Sequence, residues 1–395
     1  YPGRPCCHDK RRDKNGMIPL IDLGAQQARI RDKIDAGISR VLDHGMYIMG
    51  PEITAIETRL AAAADSRHCI SCASGTDALM LALLAKGLKP GEGVIVPSFT
   101  FAASAEVMPA LGAMPVFAEV DATSFNLDPA GLPAALSAAR AAGITVVGII
   151  GVGLFGQPAD YESINSFAAA EGLWVIDDAA QSFGASWQGN KVGTLASITC
   201  TSFFPAKPLG CYGDGGAVFT NDDTEADIMR SCRIHGMGKM RYEYERIGMT
   251  ARLDAMQAVI LDAKLDIFDE ELVMRQQVAD RYAARLADSV GVPVLADGAT
   301  SSWAQYTIKL RPGTDREMVM ETLREHGVPS AVYYPIPMHR QPPYSRYPVS
   351  DDGLQVTAAL CEQVLSLPMH PYLDAATQDQ IAVALAASLE KATAG

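Results

Sequence analysis

The chain has 395 residues, of which 48% are hydrophobic, and its formal net charge is −13. A chain of this length exceeds the size at which a single core stops growing, so we expect two domains. The negative charge argues against nucleic acid or an anionic membrane as a partner. Residues 1–16 differ, because they are basic and contain no apolar run. We interpret them as a tag or a disordered extension.

The apolar stretches and the cysteines indicate a protein of a reducing compartment. The longest strongly apolar stretch, 144–155, is too short and too glycine-rich to span a bilayer. The eight cysteines follow no regular framework, so free thiols are expected in a chain of this size. Cys69 and Cys72 have the spacing of half a zinc site or of a redox pair, but no second pair follows at the distance that a zinc site requires. We therefore expect a cytoplasmic protein with no metal site and no membrane partner.

Short apolar strand patterns alternate with alanine-rich helical patterns, which is typical of an α/β protein with a parallel sheet. The predicted strands are 94–96, 115–117, 145–150 and 174–176, and the predicted helices between them are 102–112 and 129–142. From Asp254 to about Leu286 the pattern predicts one or two long helices, after which 302–310 and 329–334 return to strand character. We place the domain division in this helical region. It gives a large domain over 17–260 and a smaller C-terminal domain over 261–395.

A carboxylate and a lysine each follow an apolar strand pattern. Asp178 ends the run Val175-Ile-Asp-Asp178, and Lys207 ends Ser202-Phe-Phe-Pro-Ala-Lys207. Open α/β sheets bind their ligands at the carboxyl ends of the strands. Pyridoxal 5'-phosphate needs an amine for a Schiff base and an anion beside its pyridine nitrogen, and these two residues supply both. Taken singly, Asp178 also fits a helix N-cap, and Lys207 also fits an ordinary exposed lysine.

Two further segments favour such a cofactor site. Ala73-Ser-Gly-Thr76 opens an apolar helical pattern, and backbone N–H groups at a helix start bind phosphate, so Gly75 and Thr76 are candidates. The glycines between Gly210 and Gly216 allow tight turning and a close approach of the chain to a ring. The four segments together predict a pyridoxal phosphate site.

These motifs resemble those of the DegT/StrS group of nucleotide-sugar aminotransferases, which have pyridoxal phosphate fold type I. The resemblance covers nearly all of the chain after residue 16. It rests on Ile18-Pro-Leu-Ile-Asp-Leu23, Ser74-Gly-Thr-Asp-Ala78, Pro97-Ser-Phe-Thr-Phe101, Asp177-Asp-Ala-Ala-Gln181, Ser202 to Lys207, Arg252-Leu-Asp-Ala-Met-Gln257 and Leu365-Ser-Leu-Pro-Met-His-Pro371. It implies a large α/β domain with a mostly parallel central sheet flanked by helices, and a smaller C-terminal α/β domain. It also implies a homodimer with active sites at the interface.

The resemblance assigns roles to single residues. Lys207 and Asp178 become the catalytic pair on pyridoxal 5'-phosphate. Phe101 stacks on the pyridine ring, and Gln181 contacts the ring hydroxyl. The phosphate is held by Ser202, Gly75 and Thr76, and by Thr250 of the neighbouring subunit. The substrate is assigned to Arg252, Tyr333 and Tyr334.

Some of these positions keep alternatives. Thr250 stands where the family usually carries an asparagine, and threonine is shorter, so its contact with the phosphate is weaker or water-mediated. Tyr333 stands where similar members carry histidine. Phe101 also fits a core position, and Arg252 also fits a surface pair with Asp254. The basic stretch around His235 fits a solvated loop as well as a group that gathers a diphosphate or a uronate.

The implied reaction moves an amino group from glutamate to the keto group of a nucleotide sugar. Residues 202–216 and Tyr334-Pro-Ile-Pro337 resemble the corresponding segments of family members that aminate C3 of a UDP-linked 3-oxo-N-acetylglucosaminuronic acid. This resemblance implies the same substrate, in the biosynthesis of bacterial surface polysaccharide such as the lipopolysaccharide O-antigen. A neutral 4-keto-6-deoxy nucleotide sugar is the alternative substrate. A sugar dehydratase is disfavoured, because those relatives replace the lysine with histidine, and a noncatalytic regulator has no need of so complete a site.

Overall fold

The computed structural model describes residues 16–394 apart from 241, 351 and 352, with the backbone alone for 393 and 394. The predicted extension over 1–16 therefore lies outside the described residues, except for Gly16. The helices of the described part are, in chain order, α1 (Leu23–His44), α2 (Pro51–Ala63), α3 (Gly75–Ala85), α4 (Ala103–Ala110), α5 (Leu132–Ala141), α6 (Tyr161–Glu171), α7 (Asp223–Cys232), α8 (Ala255–Leu265), α9 (Phe268–Leu286), α10 (Arg316–Glu325), α11 (Gln355–Gln363) and α12 (Ala375–Ala394). No helix in this part of the chain is long and apolar enough to cross a membrane.

The strands follow the buried apolar runs of the sequence. They are β1 (His68–Cys72), β2 (Gly93–Pro97), β3 (Met114–Ala118), β4 (Val146–Val152), β5 (Trp174–Asp178), β6 (Ser186–Trp187), β7 (Asn190–Lys191), β8 (Ile198–Ser202), β9 (Gly216–Thr220), β10 (Tyr306–Lys309) and β11 (Val364–Leu367). The predicted strands of the large domain and the helices α4, α5, α8 and α9 are thus confirmed to within a few residues at their ends.

The prediction of strand character over 329–334 is wrong in extent. The segment makes one isolated ladder contact among the described residues, between Ala331 and Ser366, and the strand beside β10 is β11. Pro335 and Pro337 follow directly, and proline has no N–H to donate to a ladder. The segment instead crosses toward the edge of the large sheet, where the Met338 N–H donates to the Ser98 carbonyl at 2.9 Å.

The central sheet has seven strands in the order β1-β9-β8-β5-β4-β2-β3. β9 pairs antiparallel with both of its neighbours, and the other pairs are parallel, so the expected mostly parallel α/β sheet is confirmed. One face packs on α3, α4 and α7, and the opposite face packs on α5 and α6. The carboxyl ends of β2, β4, β5 and β8 therefore meet along one edge of the sheet.

A second core lies in the C-terminal part of the chain. It joins side chains of α9, β10, α10, β11 and α12, and Ile18 of the N-terminal segment packs into it. The Ile18 N–H also donates to the Gly327 carbonyl at 3.0 Å. The helix α8 runs through the predicted division at 260/261, and we keep that division as a proposal.

A buried ion pair fixes the segment that follows α7. The guanidinium of Arg233 lies buried against the Glu57 carboxylate of α2, and it also donates to the Ser71 carbonyl at 2.8 Å. The same carboxylate accepts from the Ser71 N–H at 3.0 Å and from the Ser71 hydroxyl at 2.7 Å. Three separate parts of the chain are therefore held together directly before the turn that leads into α3.

Glu57→Ala should lower the free energy of unfolding by about 3–5 kcal/mol, because it leaves the Arg233 charge buried and unpaired. The matched control is Asp35→Ala, which removes the exposed ion-pair partner of Arg31 within α1 and should cost less than about 1 kcal/mol. Urea titration followed by far-UV circular dichroism measures both. Equal small losses would show that the buried pair does not stabilise this part of the fold.

Candidate active site

Asp178 is the last residue of β5, and its carboxylate is only 5% exposed. The Ser104 hydroxyl donates to Oδ2 at 2.7 Å, and the Ala180 N–H donates to Oδ1 at 3.2 Å. Burial raises the pKa of Asp178, while the two hydrogen bonds and the Lys207 charge oppose that rise. Because turns and not a helix follow β5, Asp178 is not a helix N-cap.

Lys207 lies in the turn after β8, the strand next to β5. Its side chain is partly buried, and burial lowers the pKa of Lys207 to about 8, against the opposing charge of Asp178. The two groups therefore lie within electrostatic reach of each other. An ordinary exposed lysine does not fit these surroundings, and an amine of lowered pKa is suited to proton transfer and to reaction with a carbonyl.

The start of α3 forms a cradle beside this pair. Ser74 caps the helix, with its hydroxyl accepting from the Asp77 N–H at 3.0 Å. The N–H groups of Gly75 and Thr76 point out of the helix start, where intrahelical acceptors end. A Cβ atom on Gly75 would lie 2.7 Å from the Ser202 Cβ, and one on Gly216 would overlap the Ser74 carbonyl. The start of α3 thus lies so close to β8 and β9 that only glycine fits at positions 75 and 216. This arrangement suits a phosphate group bound by backbone N–H groups.

Gln181 and Tyr334 lie near Asp178, and Phe101 lies beside Tyr334. The Gln181 side chain is buried, its Oε1 accepts from the Phe155 N–H at 2.7 Å, and its Nε2 donates to the Tyr334 hydroxyl at 3.3 Å. The Tyr334 ring centroid is 6.1 Å from that of Phe101. Phe101 is 56% exposed, which excludes the core alternative for this residue. Gln181 keeps a second N–H for a ligand, and Phe101 keeps a free ring face.

Tyr333 lies beside Tyr334, with 5.9 Å between the ring centroids. Its side chain is half-buried, and burial raises the pKa of Tyr333. The phenol is therefore neutral near pH 7 and donates or accepts a hydrogen bond without a charge.

Thr250 and Arg252 lie on an outward face of the chain. Ala251 and Leu253 alternate with them and are buried, so the two polar side chains point away from the core. Arg252 forms no ion pair with Asp254, and no hydrogen bond or ion pair of the described residues joins Thr250 or Arg252 to Lys207 or Asp178. The structure thus brings together Lys207, Asp178, Gln181, Tyr334, Phe101, Gly75 and Ser202. Thr250 and Arg252 stand apart.

The basic stretch around His235 is only partly available to a ligand. The guanidinium of Arg233 is already bound in the buried ion pair with Glu57. His235 is exposed, and its Nε2 lies 2.9 Å from the Thr250 hydroxyl. Of the two interpretations of this stretch, a ligand contact therefore depends on His235 and its exposed neighbours and not on Arg233.

The sequence interpretation missed two sets of residues at the site. Ser104 binds Asp178 directly, and Thr100 in turn lies 2.9 Å from Ser104. Asp177 is fully buried, the Tyr161 hydroxyl donates to it at 2.6 Å, and burial raises the pKa of Asp177 to about 7. The only signal for Ser104 was a small polar residue in the turn after an apolar strand, and many unrelated helix starts share that signal.

Comparison with known proteins defines the class. The family model of the DegT/DnrJ/EryC1/StrS aminotransferase family matches residues 28–386, so the chain belongs to this family and is an aminotransferase.

Individual relatives agree. The chain is similar to UDP-2-acetamido-2-deoxy-3-oxo-D-glucuronate aminotransferase of Pseudomonas aeruginosa, with 49% identity over 93% of this chain and 99% of that protein. A DegT DnrJ EryC1 StrS aminotransferase from Brucella abortus has a similar structure, with a TM-score of 0.92, 45% identity and coverage of 94% and 99%. A Bacillus subtilis protein, ntda with bound cofactor pmp, gives a TM-score of 0.84 at 28% identity, with coverage of 97% and 87%.

Gly216→Ala should weaken the affinity for pyridoxal 5'-phosphate by at least about tenfold, because the added methyl group overlaps the Ser74 carbonyl and moves the helix start. Gly131→Ala is the matched control, since its Cβ meets its nearest atom at 3.6 Å. Fluorescence titration of the cofactor-free proteins measures the dissociation constants. Unchanged affinity in Gly216→Ala would contradict the cradle.

Proposed function

We propose that the protein uses pyridoxal 5'-phosphate to transfer the amino group of glutamate to C3 of a UDP-linked 3-oxo-N-acetylglucosaminuronic acid. The observation that carries the proposal is the buried carboxylate of Asp178 beside the amine of Lys207, at the sheet edge where the glycine cradle opens. The family match supports the reaction class, and the 49% identical relative supports the substrate.

The residues of the site fit the chemical groups of this cofactor. Lys207 supplies the amine for its aldehyde, and Asp178 supplies the anion for its ring nitrogen. Gly75, Thr76 and Ser202 would hold the phosphate, Phe101 would cover one ring face, and the second Gln181 N–H would reach the ring hydroxyl. When bound, the cofactor carries the amino group and accepts the electrons of a substrate carbanion.

Lys207 acts as the base and the acid in both directions of the transfer. A pKa of about 8 leaves part of the amine neutral near pH 7, so Nζ can take the α-proton of glutamate. The same nitrogen then returns a proton to C3 of the sugar. Glutamate leaves as 2-oxoglutarate, and the keto sugar leaves as the amino sugar, so the amino group and the protons balance.

Arg252 and the two tyrosines are proposed as the substrate contacts. A guanidinium fork suits a carboxylate bidentately, and Arg252 faces outward without a salt bridge to Asp254. Tyr333 and Tyr334 offer neutral hydroxyls for the sugar and its linkage. The uronate carboxylate would distinguish this substrate from a neutral sugar.

A homodimer would bring Thr250 and Arg252 to a second copy's cofactor. The proposal is supported by exposed apolar side chains in two segments close to these residues. Ile48 forms an isolated β-bridge with Asp254 of the same chain. Ile247, which is 88% exposed, lies three residues before Thr250. The full set comprises Met46, Tyr47, Ile48, Met49, Met240, Tyr242, Tyr244 and Ile247. A second copy that covers this surface would remove it from water and complete the phosphate site.

We place the reaction in the cytoplasm. The six cysteines of the described residues are free and buried, in keeping with a reducing compartment. Cys69 packs in one core and Cys72 in another, on opposite faces of β1, so the two do not form half of a metal site.

Lys207→Ala should lose the covalent attachment of cofactor that borohydride fixes in the unchanged protein, because Lys207 is the one amine among the described residues whose charge acts on Asp178. Mass spectrometry of the reduced protein measures the attachment. A cofactor fixed at the same stoichiometry in Lys207→Ala would refute the assignment of the lysine.

Arg252→Lys should raise the apparent KM for the uronate sugar roughly 10- to 150-fold, the equivalent of losing a charge-assisted contact of about 1.5–3 kcal/mol. The half-reaction with glutamate should be nearly unchanged. Mass spectrometry of products from a panel of uronate and neutral keto sugars offered with glutamate measures both. Faster turnover of a neutral 4-keto-6-deoxy sugar would instead support the alternative substrate.

The shared site can be tested by mixing chains. Arg252→Ala and Lys207→Ala chains co-refolded as heterodimers should regain activity, because one of the two sites then holds an intact Lys207 and an intact Arg252. No recovery in heterodimers of proven composition would show that Arg252 acts within its own chain or does not act at the site at all.

His235→Ala should weaken the affinity for the cofactor about tenfold, because Thr250 alone is too short to replace an asparagine and loses its imidazole partner. Thr250→Asn should restore the affinity in the His235→Ala background, since the longer amide no longer needs that partner. Equilibrium titration of the cofactor-free dimers measures the four combinations. If His235→Ala weakens the affinity for the cofactor equally with Thr250 and with Asn at position 250, the two residues do not act as a unit.

A further inference from the structure

Three buried side chains form a line of hydrogen bonds that ends on the catalytic carboxylate. The Thr100 hydroxyl lies 2.9 Å from the Ser104 hydroxyl, and the Ser104 hydroxyl lies 2.7 Å from Asp178 Oδ2. Thr100 follows β2, and Ser104 lies in the first turn of α4, so both sit at the sheet edge where β5 ends. Both are almost fully buried, with exposures of 2% and 1%.

Counting hydrogens favours one direction for this line. A hydroxyl has a single hydrogen to donate. If Ser104 donates to an ionised Asp178, Thr100 must donate to Ser104, and every hydrogen is used. If Asp178 were protonated on Oδ1, the line would keep its direction, but that proton would have no acceptor among the described residues, because the one partner of Oδ1 there is the Ala180 N–H. If Asp178 were protonated on Oδ2, the line would reverse, and the Thr100 hydrogen would need a further acceptor. Among the described residues Thr100 Oγ1 has no second hydrogen-bond partner, so the reversed line leaves a buried donor unmatched.

We propose that Ser104 and Thr100 are positioning residues that hold Asp178 ionised and fix its orientation before the cofactor binds. The inference rests on the proposed function, since it concerns the anion that pairs with the pyridine nitrogen. Oδ2 is occupied by Ser104, and Oδ1 accepts only the longer 3.2 Å bond from Ala180. The remaining lone pairs are left for the ring N–H. Hydrogen bonds in such a line polarise one another and strengthen together in a buried site.

Other charged and titratable groups also face Asp178. Lys207 after β8 favours its ionised form. Asp177 on the same strand, Tyr161 of α6, Cys200 of β8 and Tyr334 each interact electrostatically with it. Burial raises the pKa values of these four groups, so the thiol and the two phenols stay neutral near pH 7. The Ser104 hydroxyl, the Ala180 N–H and the Lys207 charge are what oppose the desolvation of Asp178.

The test is the pH dependence of cofactor affinity in variants of the two hydroxyls. Ser104→Ala removes the hydroxyl and should raise the pKa of Asp178, so that the carboxylate becomes protonated at higher pH. The acid limb of the affinity profile should therefore move up by about one pH unit, equivalent to a tenfold loss of affinity on that limb. Ser104→Thr keeps a hydroxyl and should restore the unchanged profile. Thr100→Val should shift the limb in the same direction but less, because Ser104 still donates.

Ser388→Ala is the matched control, since it removes a buried hydroxyl that donates to the Ala384 carbonyl in α12, far from the sheet edge in sequence. Thermal unfolding midpoints of all variants show which of them fold. An unshifted acid limb in a folded Ser104→Ala protein, or equal shifts in Ser104→Ala and Ser104→Thr, would overturn the inference alone. Failure of the unchanged protein to bind the cofactor would overturn the proposed function and this inference with it.

Discussion

Burial of the Asp178 carboxylate is the constraint on which the rest of the site depends. An ionised carboxylate in a protein interior is costly unless donors and an opposite charge compensate it. Here the compensation comes from three directions, from the Ser104 hydroxyl, from the Ala180 N–H and from the Lys207 charge. The same burial lowers the pKa of Lys207, so the region that holds this compensated carboxylate also holds a reactive amine.

The sheet topology brings these groups together because β5 and β8 are parallel neighbours. Asp178 pairs in register with Cys200, and Ser202 lies two residues further along β8. The Ser202 hydroxyl therefore reaches the start of α3. Gly75 lies close to Ser202 and Gly216 lies close to Ser74, so there is room at these positions for backbone only. The buried pair between Arg233 and Glu57 ties β1 to the segment that carries His235 and Thr250. The helix start of α3 and the segment that we propose to face a second copy thus share one anchor.

Much of this arrangement could be predicted from the sequence, for physical reasons. Strands such as β2 and β5 are buried on both faces, so they appear as continuous apolar runs, and the polar residue that ends such a run marks the sheet edge. The segment 329–334 was mispredicted because its apolar residues pack beside the site without pairing along a ladder. The basic stretch around His235 was expected to be a solvated loop or a ligand contact, yet its Arg233 is buried in an ion pair. The sequence could not show this, because the partner Glu57 is 176 residues away. Ser104 gave no distinctive signal, because its partner is known only once the strands are ordered.

The most direct test of the central claim is the protonation state of the cofactor's ring nitrogen in the bound protein. Nuclear magnetic resonance of pyridoxal 5'-phosphate labelled with ¹⁵N at the ring nitrogen reports that state directly. The account predicts a protonated nitrogen at pH 8 in the unchanged protein, because ionised Asp178 stabilises the positive ring, and an unprotonated one in Asp178→Asn. An unprotonated nitrogen in the unchanged protein, or the same signal in both proteins, would contradict the account.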